Sequence, residues 1–300
     1  MGDPHVMNIS APIEGYIKSS ETKIAYTEWG KAFRGQGATY LLAHATGFHS
    51  RIWDQIVRRL PDRHFVCADL RGHGRSTGDA PDNWRVFGED IAALVSALEL
   101  EDIIGVGHSL GAHAMIDACG MRNDRFKTLL LLDPVIYSPR AYGRAREAKG
   151  FFGDFAARRR REFASPQAFF DRIADRTPYS LFDRNVLADY CEHALVSNQN
   201  TYALACSPET EARIYGGNFS NTTIYDSVEA INCPVILVRA KMAENLANFD
   251  FSYSPTWPNL VNAFQDAEEL HWSHLTHFIP MQAPDAVAEL MLTLSSDTPA

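Results

Sequence analysis

Nothing in this 300-residue chain approaches the run of about 20 apolar residues that crosses a bilayer as a helix. The stretch from Met1 to Pro12 offers neither a basic start nor an apolar segment of signal-peptide length. These two absences make a cytoplasmic protein with no membrane partner the expectation. Cationic side chains are also in short supply. The 28 Lys and Arg residues are outnumbered by 37 Asp and Glu, leaving a formal net charge of −9. That argues against a nucleic-acid partner, which requires a basic face. Cysteine is sparse as well. Cys67, Cys119, Cys191, Cys206 and Cys233 are odd in number, widely scattered and never in a Cys-x-x-Cys pair. A disulfide framework and a zinc site are therefore both unexpected, and buried free thiols in a reducing compartment are expected instead. No internal repeat or low-complexity tract is present.

What the chain does have is an ordinary globular balance, 46% hydrophobic and 22% charged. Its length suits one large domain, or a core carrying an insertion. Two extended segments, 13–18 and 23–29, flank a polar turn and read as a hairpin. Short apolar runs then follow at 39–44, 64–70, 103–107, 128–133 and 234–240. Continuous apolar runs of strand length are the mark of a parallel sheet covered on both faces. Segments of helical period lie between or beside them at 51–60, 84–99, 110–121 and 221–231, with a last strand at 268–271 and a last helix at 284–294. The pattern predicts an α/β fold with a mostly parallel, doubly wound sheet and right-handed crossovers. The alternation breaks over 137–215, where Arg, Phe, Ala and Asp dominate. Amphipathic helices are expected there, for example at 165–176 and 183–196. The predicted organisation is thus a core of residues 1–136 and 216–300 with an inserted helical cap domain at 137–215.

The most informative local pattern is Gly107-His108-Ser109-Leu110-Gly111, which joins the apolar run at 103–107 to a helix start. A serine in Gly-x-Ser-x-Gly sits on a sharp strand-to-helix turn, with its hydroxyl raised above the sheet edge. The flanking glycines let strand and helix approach closely. The helix N-terminus supplies a partial positive charge where an oxyanion would develop. Gly105-x-Gly107-x-x-x-Gly111 also admits a dinucleotide-binding turn, with Asp133 as the acidic residue ending the next strand. Against this, such a fingerprint usually follows the first strand of its unit, and here earlier sheet strands precede it.

Further motifs give the chain a resemblance to the α/β-hydrolase superfamily over nearly its whole length. His44-Ala45-Thr46-Gly47-Phe48, with Trp53 following, is similar to the family's loop after the third strand, with Ala45 where glycine is usual. Asp69-Leu70-Arg71-Gly72-His73-Gly74-Arg75-Ser76 resembles the loop after the fourth strand. The serine turn comes next, and His277-Phe278 precedes Pro284 and the last helix.

The resemblance implies a triad in the order serine, acid, histidine. Ser109 is then the nucleophile and His277 the general base, ahead of His271 and His274. Asp133, at the end of its strand, matches the acid of some superfamily members; Glu244 and Asp250 are the alternatives. The N–H groups of Thr46 and Leu110 are the expected oxyanion hole, with His44, Asp69, Arg71 and His73 organising the loops. Relatives that attack with aspartate, such as haloalkane dehalogenases and epoxide hydrolases, are set apart by the serine. The implied activity is a serine hydrolase that cleaves a carboxylic ester or lactone through an acyl-enzyme. The alternatives are a C–C bond hydrolase or lyase on the same fold, and a hydrolase-like binding protein without catalysis. No metal or organic cofactor is implied. The expected partner is a small molecule with an apolar acyl group, and a homodimer is compatible with the sequence. The run Arg158–Arg161 reads as a solvated helix face in preference to an anion site.

Overall fold

Residues 39–43 read Thr-Tyr-Leu-Leu-Ala, and all five are buried in the computed structural model. That is possible only for a strand covered on both faces, and the whole sheet is built on this principle. The structure describes residues 10–144, 151–243 and 252–295. Its strands are β1 (Ile13–Ser19), β2 (Thr22–Trp29), β3 (Thr39–Ala43), β4 (His64–Ala68), β5 (Ile103–His108) and β6 (Phe126–Leu132). There follow β7 (Glu162–Phe163), β8 (Leu195–Asn198), β9 (Thr201–Leu204), β10 (Val235–Ala240) and β11 (Ala267–Trp272). The α-helices are α1 (Asp54–Arg58), α2 (Arg85–Ala97), α3 (Leu110–Met121), α4 (Pro139–Arg144), α5 (Phe151–Ala157) and α6 (Pro166–Ile173). They continue with α7 (Arg184–His193), α8 (Pro208–Gly216), α9 (Ile224–Ala230), α10 (Ile279–Gln282) and α11 (Pro284–Ser295).

Eight strands form one sheet in the order β1-β2-β4-β3-β5-β6-β10-β11. The hairpin β1–β2 joins β4 antiparallel, and the remaining pairs run parallel. Side chains along the inner strands alternate between two apolar cores. Leu41, Leu129 and Leu131 face one, with Phe87 of α2 and Met115 of α3. Tyr40, Leu42, Leu130 and Leu132 face the other, with Ile56 of α1 and Met291 of α11. The chain is an α/β protein with a mostly parallel sheet, as its apolar runs predict.

The strand order also fixes where a site can form. From β3 the chain moves outward to β4, then returns to lay β5 on the opposite side of β3. The connections leaving β3 and β5 therefore diverge, opening a crevice beyond the strands' carboxyl ends.

Between β6 and α9, the helix that leads into β10, the chain forms α4 to α8 as an insertion. This insertion is not all helical: β7, β9 and β8 make a small antiparallel sheet. The expected helix at 183–196 stops at His193, and Leu195–Asn198 pairs instead with Thr201–Leu204. Gln199 in the hairpin turn has φ 52, the left-handed conformation such tight turns require. Several insertion side chains, including Phe169, Val186 and Leu187, are continuous with the second core. The five cysteines are free and buried. Among the described residues no helix is long and apolar enough to cross a membrane.

Candidate active site

Ser109 follows β5 directly and has φ 57, ψ −116, a backbone conformation costly for a side chain bearing a Cβ. The turn persists because its surroundings dictate it. Ser109 N–H donates to Leu132 O at 3.0 Å, and Ser109 O accepts from His113 N at 3.2 Å. Gly111 is obligatory for a steric reason, since a Cβ there would lie 2.1 Å from Ala43 O. The start of α3 can thus press against the end of β3, which brings Ser109 beside the loop carrying Ala45 and Thr46. Leu110 is the first residue of α3, where backbone N–H groups have no partner within the helix.

The structure brings Ser109, His277 and Asp133 into one hydrogen-bonded series. His277 Nε2 lies 3.0 Å from Ser109 Oγ, and His277 Nδ1 lies 2.6 Å from Asp133 Oδ2. All three side chains are buried. With Nδ1–H donating to the carboxylate, Nε2 is left free to accept from the serine hydroxyl. Asp133 directly follows β6 at φ 47 and accepts at Oδ1 from Ala240 N at 3.0 Å and Ser254 Oγ at 2.6 Å. Its charge is therefore met on both oxygens. The other expected histidines stand elsewhere, with His271 and His274 both exposed rather than packed against the core. Glu244 and Asp250, the alternative acids, lie outside the described residues.

Three supporting residues carry no signal in the sequence. Ser254 and Thr256 reach Asp133 from a connection more than a hundred residues further along the chain. His108, the variable residue before the serine, donates from Nε2 to His277 O at 2.8 Å. Burial holds its pKa well below the usual imidazole value, so it remains neutral.

The loop histidines brace the backbone. His44 Nε2 accepts from Leu70 N at 2.9 Å while its Nδ1–H donates to Ala45 O at 2.8 Å. Burial pushes its pKa down to about 3. His73 behaves alike, accepting from Gly47 N at 3.0 Å, and burial lowers its pKa to about 4. Asp69 accepts from Ser50 N at 2.6 Å and Arg75 N at 3.1 Å, and Arg71 makes a two-pronged pair with Asp90. The run at 158–161 departs from a purely solvated face: Arg158, Arg160 and Arg161 are exposed, but Arg159 turns inward to Glu211.

Above Ser109 lies a cleft lined by Ala45, Thr46, Trp84, Val135, Tyr137 and His277 among others. A model of the alpha/beta hydrolase family matches residues 40–290. The chain belongs to that family. The 2-(acetamidomethylene)succinate hydrolase of Mesorhizobium japonicum is 33% identical over 104 residues, 33% of this chain and 37% of that enzyme. The match thus spans little more than a third of the relative's length. Among solved structures, an E-2-(acetamidomethylene)succinate hydrolase is similar with a TM-score of 0.74 at 19% identity, covering 94% of this chain and 98% of that one. An esterase of Mycobacterium tuberculosis is similar with a TM-score of 0.68 at 22% identity, covering 96% and 92%. At such identities the structural likeness establishes the alpha/beta hydrolase fold alone.

Proposed function

We propose that this alpha/beta hydrolase is a serine hydrolase that cleaves a carboxylic ester or lactone through an acyl-enzyme. The observation that carries this reading is the Ser109–His277–Asp133 series, with 3.0 Å between hydroxyl and imidazole and 2.6 Å between imidazole and carboxylate. Those are the separations at which a base can take the serine proton as the nucleophile attacks.

Ser109 Oγ adds to the carbonyl carbon while its proton passes to His277 Nε2. The resulting oxyanion is held by the N–H groups of Thr46 and Leu110, helped by the positive end of α3. Collapse of the tetrahedral species breaks the C–O bond, and the histidine returns the proton to the leaving alkoxide. Water then enters by the same route in reverse and releases the acid. Asp133 fixes the imidazole tautomer and stabilises the imidazolium throughout. Nothing in this course calls for a metal or organic cofactor.

The wall of the cleft supports an apolar acyl group, since among the described residues its lining contains no lysine, arginine, aspartate or glutamate. The insertion contributes Tyr215 to that wall and acts as a cap that selects substrate.

A fluorophosphonate probe is expected to label Ser109 in the folded protein, read by peptide mass, and to abolish turnover of p-nitrophenyl esters. Folded protein that resists the probe would sink the proposal. Faster turnover of vinylogous diketones than of esters or lactones would favour C–C bond hydrolysis.

A further inference from the structure

The loop that carries Thr46 is gripped on both sides through its next residue. From the core, His73 Nε2 accepts from Gly47 N at 3.0 Å, with the ring oriented by Nδ1–H donating to Arg71 O at 3.0 Å. From the insertion, Tyr190 Oη of α7 donates to Gly47 O at 3.3 Å. The same hydroxyl accepts from Arg159 Nη2 at 3.0 Å, and Arg159 pairs with Glu211 of α8. The ion pair is largely withdrawn from solvent, so it is not the exposed kind that contributes little. Gly47 has φ 81, and a Cβ there would stand 2.8 Å from Glu211 Oε1, so the loop backbone runs directly against this carboxylate.

We propose that Tyr190 and Arg159 are positioning residues for the oxyanion hole, holding the Thr46 N–H in place through Gly47. The inference rests on the serine-hydrolase reading. An oxyanion donor must lie about 2.7–3.1 Å from the developing charge, so a loop that drifts by less than an ångström loses much of its effect. The core fixes only the N–H side of Gly47; the insertion supplies the restraint on its carbonyl. These residues also line a second recess that shares Thr46 and Phe48 with the main cleft. Substrate contact is therefore the competing explanation.

Tyr190→Phe separates the two. It keeps the ring against Phe48 and His49, at centroid distances of 4.9 and 5.6 Å, and removes only the hydroxyl. Loosening one donor, rather than deleting it, is expected to lower kcat for p-nitrophenyl butyrate about tenfold. KM should stay within about twofold, and phenylboronic acid, which forms a tetrahedral adduct on Ser109, should bind weaker by a factor like that in kcat. Amide hydrogen exchange over residues 44–49 should quicken. Arg159→Lys should retain more activity than Arg159→Met, and Arg158→Ala, on the exposed side of the same run, should match the parent. A rise in KM with kcat and boronate affinity intact would make Tyr190 a wall of the substrate site and overturn the proposal. So would unchanged exchange at 44–49, whatever the activity. Parent protein that neither turns over esters nor takes the fluorophosphonate would refute the hydrolase reading, while the exchange measurement still decides the clamp.

Discussion

The core and the insertion both contribute to the lining of one cleft, and they are held by different means. In the core, α2, α3 and α9 have no side-chain cap at their N-termini; they are held by burial, and α3 is buried from Leu110 to Cys119. In the insertion, α6, α7 and α8 are short, and each begins at a residue that caps it. Ser165 Oγ accepts from Ala168 N, Asp183 from Asn185 N and Val186 N, and Ser207 Oγ from Thr210 N. Packing on both sides of a sheet tolerates no drift, so the strained turn at Ser109 belongs to the core. The insertion's helices combine these caps with side chains, such as Phe169 and Leu187, that pack on the second core.

The contrast yields measurements in descending order of effect. If the core alone supplies the chemistry, Asp133→Asn should lower kcat about 10⁴-fold, since an amide at that position favours the wrong imidazole tautomer. Activity within tenfold of the parent would move the acid to another carboxylate.

The core should also be the acid-sensitive half. His44 and His73 have folded-state pKa values of about 3 and 4, below the unfolded value of 6.5, because burial penalises their charged forms. The unfolded chain then binds protons more readily as pH falls. The stability these neutral rings confer is complete above pH 6.5 and is lost progressively as pH falls, down to about pH 4 for His73 and about pH 3 for His44. For His73 alone the loss at pH 4.5 is about 2–3 kcal/mol. Urea unfolding at pH 7.5 and 4.5 should show a smaller difference for His73→Gln than for the parent; an equal difference would clear His73 of the acid response.

The smallest effect belongs to the insertion. Ser207→Ala removes the cap of α8, the helix bearing Glu211, and should cost about 1 kcal/mol, seen as a fall in Tm of about 2 °C. A loss several times larger would show that the insertion is as tightly integrated as the core.

The same division governs how much could be read from the sequence. Apolar runs of strand length are the direct product of burial on both faces, so β3 to β6 and β10 are legible within a residue or two. Ser109 is legible because a strained turn admits few residues around it, and His277 and Asp133 because motif order and a strand end locate them. The insertion is less transparent. β8 and β9 are four-residue strands of mixed polarity with no Asn-Gly or Asp-Gly between them, so β8 reads as the end of a helix. Arg159 cannot be told from its neighbours in a run of four arginines, since only three-dimensional packing turns one of them towards Glu211. Ser254 and Thr256 are equally silent, being ordinary polar residues that matter because the chain folds them onto Asp133.

The position of Asp133 has a further consequence for how such an enzyme could change over time. In the proposed triad the carboxylate directly follows β6, and the connection between β10 and β11 need not furnish an acid. Among its described residues, Ser254 and Thr256 place their hydroxyls on Asp133, while Tyr253 and Pro255 beside them line the cleft. Alternate residues of one short segment thus meet different surroundings, one pair turned to the Asp133 carboxylate and the other to the cleft. A library randomised at 253 and 255 alone would explore selectivity while leaving the charge of the site undisturbed.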